Sequence, residues 1–349
     1  SAKFLKKNYI LKKISLDFLK RHHIFESKNP TQIPEEEQSM RNLLLVKAQV
    51  MQSIREYMDQ EGFVESFYPG ITNATGSCEA IGNVFVLKLP RFLTLMQTAQ
   101  LAMEAELVGS DLPRMYTLSR SFRKEEREGD GRHLQDFALL EYESLDTDLN
   151  WLLEFNEQML TKVINEMLRS NLLGRVETNR LYHWWRRGFK RISYTEAIDT
   201  LQSKGLKFKW GDDLTREAET ALTQEYGMVQ VTHYPEPIKF FNMLNTRGNG
   251  GKKTVDCVDV LLPNAGETIG GSAREYDYDL LCKKLKESTM LKQLAELKHA
   301  HDGNGHEALA AFEDYLSLFK GRQVPRSGAG LGMGRLLQFL LDSDRIVAF

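Results

Sequence analysis

Cysteine is scarce in this chain: Cys78, Cys257 and Cys282 are the only three in 349 residues, an odd number set far apart. No C-x-x-C pair occurs, which argues against a zinc site or a disulfide framework and points to a reducing compartment, a cytoplasm. Long apolar runs are missing as well. None approaches the roughly 20 residues of a membrane span, and no signal peptide is visible, so no membrane partner is expected. Neither sign of charge is in excess, since 46 Lys and Arg against 48 Asp and Glu leave a net charge of -2. Net charge therefore gives no case for a nucleic-acid coat, and any anionic ligand must be met by a local cluster. There is no internal repeat, no low-complexity tract and no Walker-type glycine loop.

What is present is enough apolar material for one large core or two modest ones. Residues 1 to about 40 read as a helix and an irregular arm, broken by Pro30 and Pro34. From Leu43 to Gln60 the positions Leu43, Val46, Val50, Ile54 and Met58 recur at three and four, an amphipathic helix with Gly62 placed to cap it. GFVESFYPG then turns to strand composition. Between Met115 and Leu145 alternation on both sides of a Gly-Asp-Gly loop predicts an antiparallel hairpin. A second amphipathic helix spans residues 148–173, and a helical or mixed insertion covers about 146–230. Within it, WWRRGFKR interleaves basic and aromatic residues; a half-buried strand edge is the favoured reading over contact with nucleic acid. Strand composition returns at VDCVDVLLP and ETIGGSARE, and a long polar helical segment is expected over roughly 276–318. Hairpin-dominated strands with helices between them predict an α+β fold, an antiparallel β-sheet flanked by helices.

Two stretches suggest chemistry. The hairpin reads RSFRKEEREGDGRHLQDFALLEYES. Period two puts Thr117, Ser119, Ser121, Arg123 and Glu125 on one face of the first strand, and His133, Gln135, Phe137, Leu139, Glu141 and Glu143 on one face of the second. A guanidinium can bond phosphate in two places, a ring can stack on a base, and a carboxylate can take an amine or a metal. A solvated charged hairpin is the plainer alternative. Near the C-terminus GAGLGMGR sets glycines at every second position before Arg335, leaving bare backbone on which a flat nucleotide could lie. Its spacing is not G-x-G-x-x-G and no βαβ unit surrounds it, so a Rossmann site is a poor reading.

Taken together, the helix ending in Pro69, FRKE with RHLQDF, and GAGLGMGR resemble the three ordered motifs of the class II aminoacyl-tRNA synthetases. KRISYTEAI, WGDDL, HYPEPIKFF and VDVLLPNAGETIGGSARE are similar to the asparaginyl and aspartyl members. The resemblance, from about Leu43 to the C-terminus, implies a class II synthetase-like catalytic domain over 41–349, ATP and Mg2+ as cofactors, an amino acid as substrate and a homodimer. It implies Arg123, Arg335 and Glu125 as catalytic residues, with Arg132, His133, Phe137, Arg326, Gly330 and Gly332 around the nucleotide. Asp259 and Glu267 match the acids that carry magnesium. Glu79, Gln100, Lys239, Asn242 and Arg274 fall at the amino acid, Arg274 as the reader of its side-chain oxygen. Glu267 and Arg274 lie seven apart, on opposite faces by strict alternation, so Gly270-Gly271 suggests a bulge that re-aims one of them. The chain also departs from the family: Arg326 replaces a usual His, Gly334 a Glu, Asn242 a Tyr, Leu244 an Arg and Ala218 a His. About 40 residues precede the first motif, too few for the anticodon-gripping barrel of roughly 100 residues. These departures point to an adenylate-forming ligase that transfers to a non-tRNA amine, as in freestanding asparagine-making paralogues, with tRNA not favoured. The alternatives are a true asparaginyl- or aspartyl-type synthetase and a non-catalytic regulator.

Overall fold

The computed structural model describes residues 35–73, 81–124, 134–247 and 251–349. Contact density divides the chain into two compact units, residues 1–48 and 49–349. Helix α1 (Glu35–Gln60) ends as the Leu43–Gln60 periodicity predicts, with Gly62 at a φ of 77° just beyond it; Val50, Ile54 and Met58 are buried. The strands are β1 (Val64–Glu65), β2 (Ile71–Thr72), β3 (Thr94–Leu95), β4 (Arg114–Phe122), β5 (Asp136–Leu145), β6 (Phe189–Ser193), β7 (Met228–Thr232), β8 (Cys257–Leu262), β9 (Gly266–Ala273) and β10 (Arg326–Gly332). The further helices are α2 (Gln100–Ser110), α3 (Leu149–Arg169), α4 (Arg175–Arg187), α5 (Tyr194–Ser203), α6 (Arg216–Tyr226), α7 (Tyr278–Glu287), α8 (Thr289–Asp302), α9 (Glu313–Ser317) and α10 (Met333–Leu341). Among the described residues, no helix is long and apolar enough to cross a membrane.

Eight strands form one sheet in the order β1-β4-β5-β10-β9-β8-β7-β6. Its six central strands are antiparallel; only the edge pairs β1–β4 and β6–β7 are parallel. The predicted hairpin is β4–β5, with Thr117 opposite Glu141, Ser119 opposite Leu139 and Ser121 opposite Phe137. Helix α3 starts at Asp148, whose carboxylate accepts from the Trp151 amide, and lies against β8, β9 and β10.

Two readings are corrected. The expected insertion over 146–230 supplies β6 and β7, so it completes the main sheet rather than interrupting it. WWRRGFKR is helix as far as Arg187, and strand β6 begins only after Gly188, whose φ of 70° lets the chain turn. The long polar segment over 276–318 is helical as expected, divided into separate helices at Ser288 and Gly303. Ser288 ends α7 and accepts from the Leu291 amide to start α8, so one side chain serves both helix ends.

Candidate functional site

The site is built on one face of β4, β5, β10, β9 and β8. Across the centre of that face Thr117, Glu141, Gly330, Gly270 and Asp259 lie in register, strand by strand. One row away, Glu143 faces Gly328, which faces Ser272. The alternate glycines of β10 have a steric reason at this point. A Cβ on Gly328 would run into the Glu143 carboxylate, while one on Gly330 would come no closer than 3.5 Å to Leu139 and would stand on the open floor. Gly271 points the other way, where a Cβ would lie 2.5 Å from that of Ala329.

Over this floor is a cavity of about 240 Å3. At one end are Arg123, Phe137, Gly332 and Arg335. The Arg123 guanidinium carbon lies 5.6 Å from the Phe137 ring centroid, and Arg335, in the first turn of α10, donates to the Ala265 carbonyl at 3.0 Å. Ile346, which no sequence signal marked, completes this wall; Gly334 makes room for it, since a Cβ there would lie 2.8 Å from the Val347 carbonyl oxygen.

The other end is lined by Thr98, Gln100, Glu141, Glu143 and Arg274. Glu141 accepts from Thr98 Oγ1, from the Ala99 amide at 2.9 Å and from Ser119 Oγ at 3.1 Å. Burial pushes its carboxyl up, against those three bonds. Arg274 donates to Glu143 through Nη2 at 2.5 Å and Nε at 3.2 Å, and to Ser272 Oγ through Nη1 at 2.8 Å. Burial first, opposed by Arg274, leaves the Glu143 carboxyl pushed up to about 7. Glu104, unmarked by the sequence reading, lies behind Gln100 and bonds it at 2.7 Å.

Between the two ends stand Asp259 and Glu267. The expected bulge is real, but it lies at Thr268 rather than at the Gly-Gly pair: Val260 faces Ile269 while Leu261 faces Glu267, so the pairing skips a residue. The shift brings Glu267 and Arg274 onto the same cavity. Glu267 Oε1 would be 2.9 Å from a Cβ on Gly270 and Asp259 Oδ1 3.8 Å, so both carboxylates lean over the same bare backbone. Burial, then the charge of Asp259, push the Glu267 carboxyl up to about 8. Lys239 donates to Asp259 at 2.7 Å; burial by itself would lower its ammonium, but Asp259, Cys257 and Glu267 together hold it above the usual lysine range. With Lys239 already on Asp259, it is Glu267 beside it that wants a proton or a further cation. The described residues hold no cluster of three or more His, Cys, Asp or Glu for a metal cage, but magnesium needs only one or two carboxylates beside phosphate and water. The donor set fits that ion.

Of the expected residues, the cavity gathers Arg123, Arg335, Phe137, Gly330, Gly332, Asp259, Glu267, Gln100, Lys239 and Arg274. Glu79, Glu125, Arg132 and His133 lie outside the described residues. Two expectations are corrected. Arg326 does not line the cavity: it is fully buried, and its five N–H groups go to Glu104, Tyr315 and the carbonyls of Glu275 and Val324, leaving none for a phosphate. Asn242 is fully buried off the cavity wall, its backbone carbonyl accepting from the Glu275 amide, because the chain there turns its neighbours Phe240 and Met243 inward instead.

The family described as tRNA synthetases class II (D, K and N) matches residues 31–348. The asparagine–tRNA ligase of Thermococcus kodakarensis is 35% identical over 311 residues, covering 87% of this chain and 67% of its own length. That of Pyrococcus abyssi is 34% identical over 317 residues, covering 87% and 66%. Among solved structures, the asparaginyl-tRNA synthetase of Pyrococcus horikoshii complexed with asparaginyl-adenylate superposes with a TM-score of 0.73 at 30% identity, covering 93% of this chain and 73% of that one.

Proposed function

We propose, from the premise that this chain belongs to the class II tRNA synthetases of the D, K and N group, that it activates an amino acid of the asparagine or aspartate type as its adenylate and passes the acyl group to tRNA. Membership makes it an ATP-dependent ligase that works through an aminoacyl adenylate. The observation that carries the finer reading is the shared cavity: Arg123, Phe137 and Arg335 at one end face the same space as Gln100 and Arg274 at the other.

The chemistry needs little from the protein beyond position and charge. A substrate carboxylate, already ionised near neutral pH, attacks the α-phosphorus of ATP in line, so no general base is required. Arg123 offers its guanidinium to the α-phosphate and the attacking carboxylate, and Arg335 holds the nucleotide from the other side. Charge that builds on the phosphoryl oxygens in the transition state then meets cations already in place. Asp259 and Glu267 would hold magnesium, which supplies charge neutralisation at the phosphates. At the far end Arg274 donates to the oxygen of a short polar side chain. Gln100, held by Glu104, stands beside the α-ammonium group.

For the acceptor, the sequence alone favours a free amine. The relatives support tRNA instead: those above are tRNA ligases 34% or 35% identical to this chain. The chain spans about two thirds of their length, so its activity on a whole tRNA is part of the proposal. So is a homodimer. The test is amino-acid-dependent pyrophosphate exchange over the standard amino acids, followed by tRNA charging and by mass spectrometry with an amine panel. Exchange with asparagine or aspartate and saturable charging of one isoacceptor are expected. An amide product from an amine, with no charging, would return the amine reading, and no exchange at all would leave the regulator.

A further inference from the structure

Behind the amino-acid end of the cavity runs a buried chain of charges whose rear members, Glu104, Arg326 and Tyr315, do not themselves touch the substrate in the proposed reaction. At its centre is Glu104 on α2, fully buried. Its Oε1 accepts from Gln100 at 2.7 Å and lies 3.8 Å from Arg274 Nε. Its Oε2 accepts from Arg326 Nε at 2.8 Å and from the Tyr315 hydroxyl at 2.9 Å. Arg326 Nη2 is 2.6 Å from the same oxygen, and the guanidinium lies 4.1 Å above the Phe319 ring. Gln100 and Arg274 line the cavity, whereas Glu104, Arg326 and Tyr315 stand behind it.

We infer that Arg326 is a positioning residue for amino-acid recognition, fixing Gln100 and Arg274 from behind through Glu104. The inference rests on the reading that this end of the cavity takes the amino acid. Its physical basis is charge balance. Glu104 brings one buried negative charge and Glu143 a second once the pH exceeds about 7, and Arg274 and Arg326 bring two positive ones. With both arginines present, Arg274 can commit Nε and Nη2 to Glu143 while Glu104 is satisfied from behind. Without Arg326, two buried carboxylates compete for one guanidinium, and a buried charge left with half a partner is expensive. Burial acts to push the Glu104 carboxyl up, and Arg326 more than Arg274 holds it below the usual range. Loss of Arg326 would therefore either pull Arg274 from Glu143 toward Glu104 or put a proton on Glu104 that competes with the Gln100 bond. Both disturb groups on the cavity wall at the amino-acid end and leave Arg123, Phe137 and Arg335 alone.

The test measures binding of the cognate amino acid and of ATP separately, by titration calorimetry, in wild type, Arg326→Met, Arg326→Lys and the double variant Arg326→Met with Glu104→Gln. Arg326→Met should weaken the amino acid by about tenfold or more, because polar groups around it lose their arrangement, with ATP binding unchanged. Arg326→Lys restores the charge without the five-donor fan and should fall between. The double variant removes both charges, keeps an oxygen for Gln100, and should recover most of the loss. A purely structural role would lower both affinities together, with no recovery in the double variant, and that result overturns the inference. So does unchanged amino-acid binding in Arg326→Met. If that variant does not fold, Arg326→Lys decides: equal weakening of both ligands, or of neither, refutes it. Should wild type bind ATP and no standard amino acid, the reading of this end fails and takes the inference with it.

Discussion

Arg123 and Arg335 reach one cavity from positions more than 200 residues apart in sequence, and each is expected to meet charge that grows in the transition state. Replacing either by Ala should lower adenylate formation by about a hundredfold, roughly 3 kcal/mol of lost stabilisation, while the melting temperature holds. Wild-type pyrophosphate exchange in either variant would remove that role. The acid pair makes a second prediction. Glu143 and Glu267 are pushed up to about 7 and about 8 from an ordinary 4.5, so the folded protein keeps protons that the unfolded chain has released. Their contribution to stability is fully present below pH 4.5 and is lost as the pH rises through 7 and then 8. In chelator, the melting temperature should therefore fall across that range. Magnesium should restore more of it at the alkaline end, where Glu267 is free to bind. Glu267→Gln should flatten the fall and remove most of the magnesium effect. A magnesium gain equal at both ends of the range would contradict the pairing of Asp259 with Glu267 as a cation site.

Among the elements, β10 has the clearest sequence pattern, and its glycines do different work. Gly328→Ala would press a methyl into the Glu143 carboxylate, which Arg274 holds in place. Overpacking of this kind should destabilise the fold by about 1–3 kcal/mol, seen as a lower melting temperature. Gly330→Ala meets nothing closer than 3.5 Å, so the fold should hold while the methyl narrows the cavity floor. The Michaelis constant for ATP should rise by about tenfold with little change in melting, since a small displacement of bound substrate is enough to cost that much. The reverse pattern, Gly330→Ala unfolding and Gly328→Ala neutral, would refute this account of the strand. The bulge in β9 belongs to the same scale: one skipped residue, Thr268, brings Glu267 to the cavity that Arg274 lines.

For the whole molecule, the expected partner is a second copy. Val64, Phe67 and Ile71 follow α1 and are 42%, 77% and 50% exposed. Side chains of this kind grouped near an edge strand are the sort of surface that a two-fold contact covers. Phe67→Asp should shift sedimentation from dimer toward monomer at micromolar concentration and reduce pyrophosphate exchange along with it. A wild type that sediments only as monomer would dismiss the dimer.

The hairpin, the strand–helix turn near the C-terminus and a few residues of the cavity wall were legible in the sequence because period-two alternation and glycine spacing act over a few residues. Arg123, Phe137 and Arg335 could be picked from such short stretches, whereas Asp259, Glu267, Gln100, Lys239 and Arg274 came only through the family resemblance. The bulge was half legible: spacing demanded one, but which residue slipped depended on the partner strand β8. What only the tertiary structure decided was the company each side chain keeps. Arg326 looked like a nucleotide ligand beside its glycines, yet Glu104, 222 positions away along the chain, takes its guanidinium into the core. Asn242 sits in a stretch that supplies Phe240 and Met243 to the cavity, and turns away from it. A local pattern fixes the direction of a side chain within its element, but burial and charge pairing are settled by elements far apart in sequence that meet only in the fold.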